Sequence, residues 1–228
     1  MIERNLYSVR DRVTTACVAA GRDPASVSLL AVSKTFGTDA VLQAMATGQC
    51  AFGENYIAEG VEKITALRAH TTLVWHCIGP VQSNKTRLVA EHFDWVQSVD
   101  RLKIAQRLSE QRPQHLAPLQ ICIQVNIDGG ANKSGVTPQE LPALIAEVVK
   151  LPNLRLRGFM TLPEPAIDFI AACDQHSRAK AIFDSINTSG VLPQPMDTLS
   201  MGMTNDLEAA IESGSTMVRV GTAIFGKR

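Results

Sequence analysis

Ser28-Leu29-Leu30-Ala31-Val32-Ser33-Lys34 is a compact apolar run closed by a lysine. A run this short with apolar residues on both alternating faces reads as a strand buried on two sides. The same unit repeats outward from it. Upstream, Leu6, Val9, Val13, Ala16, Cys17 and Ala20 share one helical face that Gly21 can stop. Downstream, Val41, Leu42 and Met45 mark a helix closing near Gly48, Ala51-Phe52-Gly53 is a second strand, and Ile57, Val61 and Ile64 lie on the next helix. Leu73 to Ile78 is a third strand, followed by a helix around Lys85 to Glu91. Trp95 to Val99 is the fourth, with Asp100 as the expected cap of a helix carrying Leu102, Ala105 and Leu108.

The series continues to the end. Gln120 to Asn126 is strand five, and Thr137-Pro138-Gln139-Glu140 spells a capping box ahead of Leu141, Leu144, Ile145 and Val148. Leu154 to Met160 is strand six, with a helix spanning Ala166 to Asn187. Thr198-Leu199-Ser200 is strand seven, Leu207, Ala210 and Ile211 define a helix ended by Gly214, and Met217 to Val220 is strand eight. Eight strands alternating with helices predict an α/β fold, a (β/α)8 TIM-type barrel with an extra N-terminal helix, as a single domain over residues 1–228. The rival is a doubly wound open sheet. That fold usually has fewer strands, and no Gly-rich dinucleotide fingerprint follows strand one. The first helix is expected to fill the gap beside strand eight.

Composition narrows the function. The 228 residues carry 22 Lys+Arg and 22 Asp+Glu, for a net charge of zero, and 45% are hydrophobic. That balance argues against a bulk electrostatic grip on nucleic acid or an anionic membrane. The start, MIERNLYSVRDR, has no apolar h-region, and no apolar run approaches the ~20 residues of a membrane span, so a cytoplasmic protein is expected. Cys17, Cys50, Cys77, Cys122 and Cys173 are scattered and never spaced as C-x-x-C. They read as reduced, semi-buried residues rather than a disulfide or zinc framework. His70, His92, His115 and His176 show no metal spacing, so no metal is expected.

Barrel chemistry sits at the carboxyl ends of the strands. Lys34 ends strand one there. An amine beside apolar walls gives up its proton more readily and can then form a Schiff base with a carbonyl compound. A solvated lysine at a strand end has the same position in sequence. Ser200-Met201-Gly202-Met203-Thr204-Asn205 follows strand seven: Gly202 permits close backbone approach, Ser200 and Thr204 offer hydroxyls, and a helix starting near Thr204 or Asn205 offers free N–H groups. Gly221-Thr222 follows strand eight. Loops seven and eight are where barrels commonly hold phosphate, although turn and cap chemistry uses the same residues. Arg219 lies inside an apolar strand and needs a partner there, either a carboxylate or a ligand. His76 is a lone strand histidine, a type more often found in a core than on a ligand, and Lys85 and Lys133 lie near expected mouth loops, where either can contact an anionic ligand or simply be solvated, the more usual case.

Several motifs carry a family resemblance: Ala31-Val32-Ser33-Lys34-Thr35, Phe52-Gly53-Glu54-Asn55-Tyr56, Trp75-His76-Cys77-Ile78-Gly79-Pro80-Val81-Gln82-Ser83-Asn84-Lys85, Lys133-Ser134-Gly135, Leu199-Ser200-Met201-Gly202-Met203 and the stretch from Gly214 to Gly226. The sequence resembles the pyridoxal phosphate homeostasis proteins (the YggS/PROSC family), related to the N-terminal domain of alanine racemase, from the first helix to Gly226. The resemblance implies pyridoxal 5′-phosphate carried as a Schiff base on Lys34. It implies phosphate held by Ser200, by backbone around Gly202 and Met203, and by Gly221-Thr222. Arg219 would face the pyridine nitrogen, and Asn55 and His76 would line the mouth. It implies an intracellular carrier or buffer of vitamin B6 rather than an enzyme with robust turnover, expected as a monomer that can exchange cofactor with apo-enzymes. The alternative is a racemase-like enzyme with Tyr56 or Lys85 carrying protons. A cofactor-free Schiff-base aldolase is a third reading. Lys85 or Lys133 as a second cofactor site is left open.

Overall fold

In the computed structural model, which describes residues 1–130 and 134–226, the alternating pattern becomes eight parallel strands closed into a barrel in chain order. They are β1 (Ser28–Val32), β2 (Ala51–Glu54), β3 (Val74–Cys77), β4 (Trp95–Val99), β5 (Leu119–Val125), β6 (Leu154–Thr161), β7 (Thr198–Ser200) and β8 (Met217–Val220). The barrel closes where Leu30 pairs with Arg219 and Ala31 with Val220. The helices α1 (Ile2–Ala19), α2 (Thr38–Met45), α3 (Ile57–Ala66), α4 (Thr86–His92), α5 (Leu102–Gln111), α6 (Leu141–Val148), α7 (Phe169–Thr188), α8 (Leu207–Glu212) and the single turn α9 (Thr222–Phe225) surround it.

Strand alternation divides the buried residues into two layers. Ala31, Phe52, Trp75, Val96, Ile121, Ile123, Phe159, Leu199 and Val218 point outward into one continuous core beneath the helices. Burial of each large side chain there contributes ~1.5–3 kcal/mol. The inward layer is unusually polar. Gln97 on β4 bonds both His76 on β3 and Ser200 on β7. Strands β4 and β7 are not neighbours, so these side chains meet only through the barrel interior.

The first helix fills the seam as expected. It packs against α8, α9 and α2. Asn5 Nδ2 donates to the Ile224 carbonyl at 2.8 Å, and Arg12 pairs with Glu208. The capping box forms in both directions, with Thr137 N–H on Glu140 Oε2 and Glu140 N–H on Thr137 Oγ1, although regular helix begins only at Leu141.

Three further helix starts differ from expectation. Arg101, not Asp100, is the N-cap of α5, and the Asp100 carboxylate pairs with the Arg101 guanidinium instead. Helix α7 begins at Phe169 rather than Ala166, because Asp168 caps it by accepting the Ala171 N–H. Helix α8 begins at Leu207, with a turn at 204–206 before it. Cys17, Cys77 and Cys122 are buried, whereas Cys50 is exposed. Among the described residues, no helix is long and apolar enough to cross a membrane, and no group of three metal-ligating side chains occurs.

Candidate functional site

A cavity of about 1030 Å³ opens at the carboxyl ends of the strands. Its apolar wall includes Val32, Phe36, Ile78, Met160 and Leu162, and its polar groups include Lys34, Asn55, Thr204, Asp206, Arg219 and Thr222. Loops one, two, seven and eight therefore converge on one volume, as the strand-end rule requires.

Lys34 enters the cavity from the turn after β1, half-buried. Asn55 enters from the end of β2. Its carbonyl lies so close to Gly79 that a Cβ there would sit 2.1 Å from the oxygen, so the loop after β3 can press against Asn55 only with glycine at that position.

Arg219 projects from β8 into the barrel and touches the cavity floor. Its Nη1 donates to the Ser200 carbonyl and to Ser200 Oγ, both at 2.7 Å, and its Nη2 donates to the Thr161 carbonyl at 2.8 Å. These acceptors are neutral, and no ion pair of Arg219 occurs among the described residues. Burial pushes the guanidinium down to about 10, against the opposing pull of Asp206. It therefore stays cationic at neutral pH, a buried positive charge facing an open cavity. Such a charge favours an anionic or lone-pair-bearing ligand.

A polar chain holds that arginine. Ser200 Oγ donates to Gln97 Oε1 at 2.7 Å, which leaves its lone pairs for Arg219. Gln97 Nε2 then faces His76 Nδ1 at 2.9 Å. The amide nitrogen is a donor, so His76 Nδ1 accepts and the ring is neutral. Burial enforces this, pushing the His76 pKa down to about 3, and the ring stacks on Trp95. His76 is thus 2% exposed beneath the floor and does not line the mouth as expected.

Ser200 also lies below the cavity. Its hydroxyl is buried and spent on Gln97 and Arg219, so it supports the arginine and does not line the cavity. Met203 lines the cavity, but its N–H donates to Asp206 Oδ1 at 2.7 Å. Gly202 has φ +93°, and a Cβ there would lie 2.4 Å from the Ala210 Cβ, so glycine lets this loop lie on α8. Thr204 and Asn205 line the cavity beyond it. Across the seam, Gly221 and Thr222 line the same volume at the start of α9. The first-turn amides of a helix have no acceptor within it.

Asp206 braces the loop. Its Oδ2 lies 3.0 Å from Nε2 of the buried His176. Burial alone would raise this carboxyl, but the His176 and Met203 bonds and the Arg219 charge hold it below the usual range. Sequence reasoning missed Asp206 and His176, since no spacing joins an α7 histidine to the β7 loop.

Other candidates lie elsewhere. Tyr56 is 55% exposed at the start of α3 and outside the cavity lining. Lys85 closes a turn ahead of α4, also outside the lining. Lys133 lies outside the described residues.

The chain is similar over its whole length to known proteins. The family described as the alanine racemase N-terminal domain matches residues 5–228. A protein of Pseudomonas aeruginosa named pyridoxal phosphate homeostasis protein is 55% identical over 227 residues, covering 100% of this chain and 96% of its own length. A protein of the same name from Escherichia coli K12 is 49% identical, covering 100% and 97%. Among solved structures, PipY of Synechococcus elongatus with PLP bound superposes with a TM-score of 0.86 at 31% identity, covering 99% of this chain and 100% of its own.

Proposed function

The chain belongs to the alanine racemase N-terminal domain family and to the pyridoxal phosphate homeostasis proteins, and from that premise we propose that it binds pyridoxal 5′-phosphate in the cavity at the strand ends. The single observation that carries this reading is the convergence of Lys34, Arg219, Thr204 and Gly221-Thr222 on one volume. The cofactor fits the donors present. Lys34 supplies an amine for the aldehyde. Arg219 supplies a charge whose hydrogen-bond partners are all neutral and which only Asp206 opposes, through space. When bound, the cofactor supplies an electrophilic aldehyde and a conjugated ring able to accept electron density.

Each residue then has a proposed task. Lys34 bonds the cofactor as a Schiff base, releasing the carbonyl oxygen as water. Arg219 donates to the pyridine nitrogen and opposes its protonation. Thr204, Thr222 and the amides near Gly221 hold the phosphate, with Gly202 and Met203 shaping the loop behind it. Asn55 orients the ring edge. His76 and Ser200 act from below, through Gln97 and Arg219.

We read the role as carriage and buffering of the cofactor by a single-domain, monomeric cytoplasmic protein that passes it to apo-enzymes. Stereochemical scrambling of an amino acid needs a base on each face. Among the described residues lining the cavity, Lys34, Asp168, Asp206 and Glu208 are the groups able to act as bases; Asp206 is bound to His176 and the Met203 N–H, Asp168 to the Ala171 N–H and Glu208 to Arg12, which supports carriage over racemisation. The purified protein should be yellow, and borohydride should fix the cofactor to Lys34 on peptide mapping. Lys34→Ala should be colourless, and unchanged colour in that variant would overturn the assignment. Incubation with L-amino acids in deuterated water should give no rapid, scrambled α-deuteration.

A further inference from the structure

Lys34 stands at the centre of a four-residue turn closed by the Phe36 N–H on the Ser33 carbonyl at 3.1 Å. Its next residue, Thr35, has φ +67°. That is the left-handed region, and a β-branched residue there is a true outlier. Strain of this kind persists only where the surroundings over-determine it, and it clusters at functional sites.

The surroundings here are a buried ionic cluster. Lys63 of α3 is 4% exposed and its partner Glu54 is fully buried. Lys63 Nζ donates to the Ser33 carbonyl at 2.8 Å, to Glu54 Oε1 at 2.8 Å and to Glu59 Oε1 at 2.6 Å. Ser33 Oγ donates to the same Glu54 oxygen at 2.6 Å. Glu59 Oε1 also accepts the Thr35 N–H. Among the described residues, every side-chain hydrogen bond this cluster makes outside itself therefore falls on Ser33 or Thr35, the two neighbours of Lys34. The second Glu54 oxygen is buried without a hydrogen-bond partner. A buried ion pair is weak support for stability, and an imperfectly satisfied one weaker still, so its presence here fits fixing a geometry better than raising stability.

We propose that Lys63, with Glu54 and Glu59, is a positioning device that fixes the Lys34 backbone so that its amine is presented to the ligand's aldehyde carbon. This rests on the reading of Lys34 as the cofactor-bonding amine and names residues that act on it from outside the cavity. The step it serves is balanced without a further reagent: the neutral Nζ amine forms the C=N bond, the C=O bond breaks, and the oxygen leaves as water carrying the two amine protons.

The test compares two ligands on purified full-length protein freed of cofactor: pyridoxal 5′-phosphate, and pyridoxine 5′-phosphate, which lacks the aldehyde. In Lys63→Met the rate of borohydride-trappable attachment of pyridoxal 5′-phosphate to Lys34 should fall at least ~10-fold, because small displacements of a reacting atom cost that much. Affinity for pyridoxine 5′-phosphate should stay within about twofold, since the phosphate and ring contacts are untouched. Glu59→Ala, at a half-exposed site, should show the same split more weakly and carries the test alone if Lys63→Met does not fold. Unchanged attachment in both variants, or equal loss of both ligands, overturns the proposal. Wild-type protein that binds pyridoxine 5′-phosphate but never labels Lys34 would instead overturn the underlying reading of Lys34.

Discussion

Ser200→Ala separates the support of Arg219 from the grip on phosphate. The change removes one acceptor from a charged donor, but Arg219 keeps the Ser200 and Thr161 carbonyls. It also strands Gln97 Oε1, which accepts the serine hydroxyl in the barrel interior. An orphaned buried acceptor costs ~1–3 kcal/mol and a lost bond to a charged donor a comparable amount, so about 2–6 kcal/mol is expected in total. For a chain of this size each kcal/mol lowers Tm by roughly 2–4 °C, which gives a fall of about 4–24 °C by calorimetry on the cofactor-free protein. Affinity for pyridoxine 5′-phosphate should change little, while Thr204→Val should do the reverse: weaker binding with little loss of Tm. A Ser200→Ala protein that melts within ~2 °C of wild type yet binds the phosphate compound tenfold more weakly would refute this account, because the serine would then be a phosphate ligand.

Acidification gives a second outcome. His76 is neutral in the fold with its pKa at about 3, against 6.5 in an open chain, so between these values only the unfolded state takes the proton. Stability should therefore fall with falling pH through that window at ~1.4 kcal/mol per unit, and His76→Gln should flatten the slope in denaturant titrations. Gly202→Ala places a side chain at φ +93° and against Ala210. The left-handed backbone alone costs ~1–2 kcal/mol, and displacement of the loop should also weaken pyridoxine 5′-phosphate binding, both readable in one ligand-dependent melting series. Arg219→Met should move the absorption maximum of bound cofactor while leaving it attached to Lys34. An unmoved spectrum would remove Arg219 from the ring nitrogen.

The order and number of the strands were legible because each is a short apolar run bounded by polar turns, and each expected strand overlaps an observed one within a residue or two. The strand-end rule then picked out Lys34, Met203, Gly221 and Thr222, the apolar run around Arg219 picked out that residue, the family resemblance added Asn55, and all six line the same cavity. Depth along the barrel axis was not legible. Alternation tells which face a side chain takes, not how far below the rim it lies, so Ser200 read as a mouth residue, and the resemblance put His76 there against its reading as a core histidine, while the fold sinks both beneath the floor. The left-handed Thr35 and the reach of Lys63 to Ser33, 30 residues away, leave no periodic trace, because they arise only when α3 packs on β2 and β3 and Lys63 reaches the turn after β1. Local hydrophobic pattern thus determined the barrel and the roster of its rim. Only the closed tertiary structure decided which polar groups touch a ligand and which hold those that do, since their partners come from strands on opposite sides of the barrel and from helices distant in the chain.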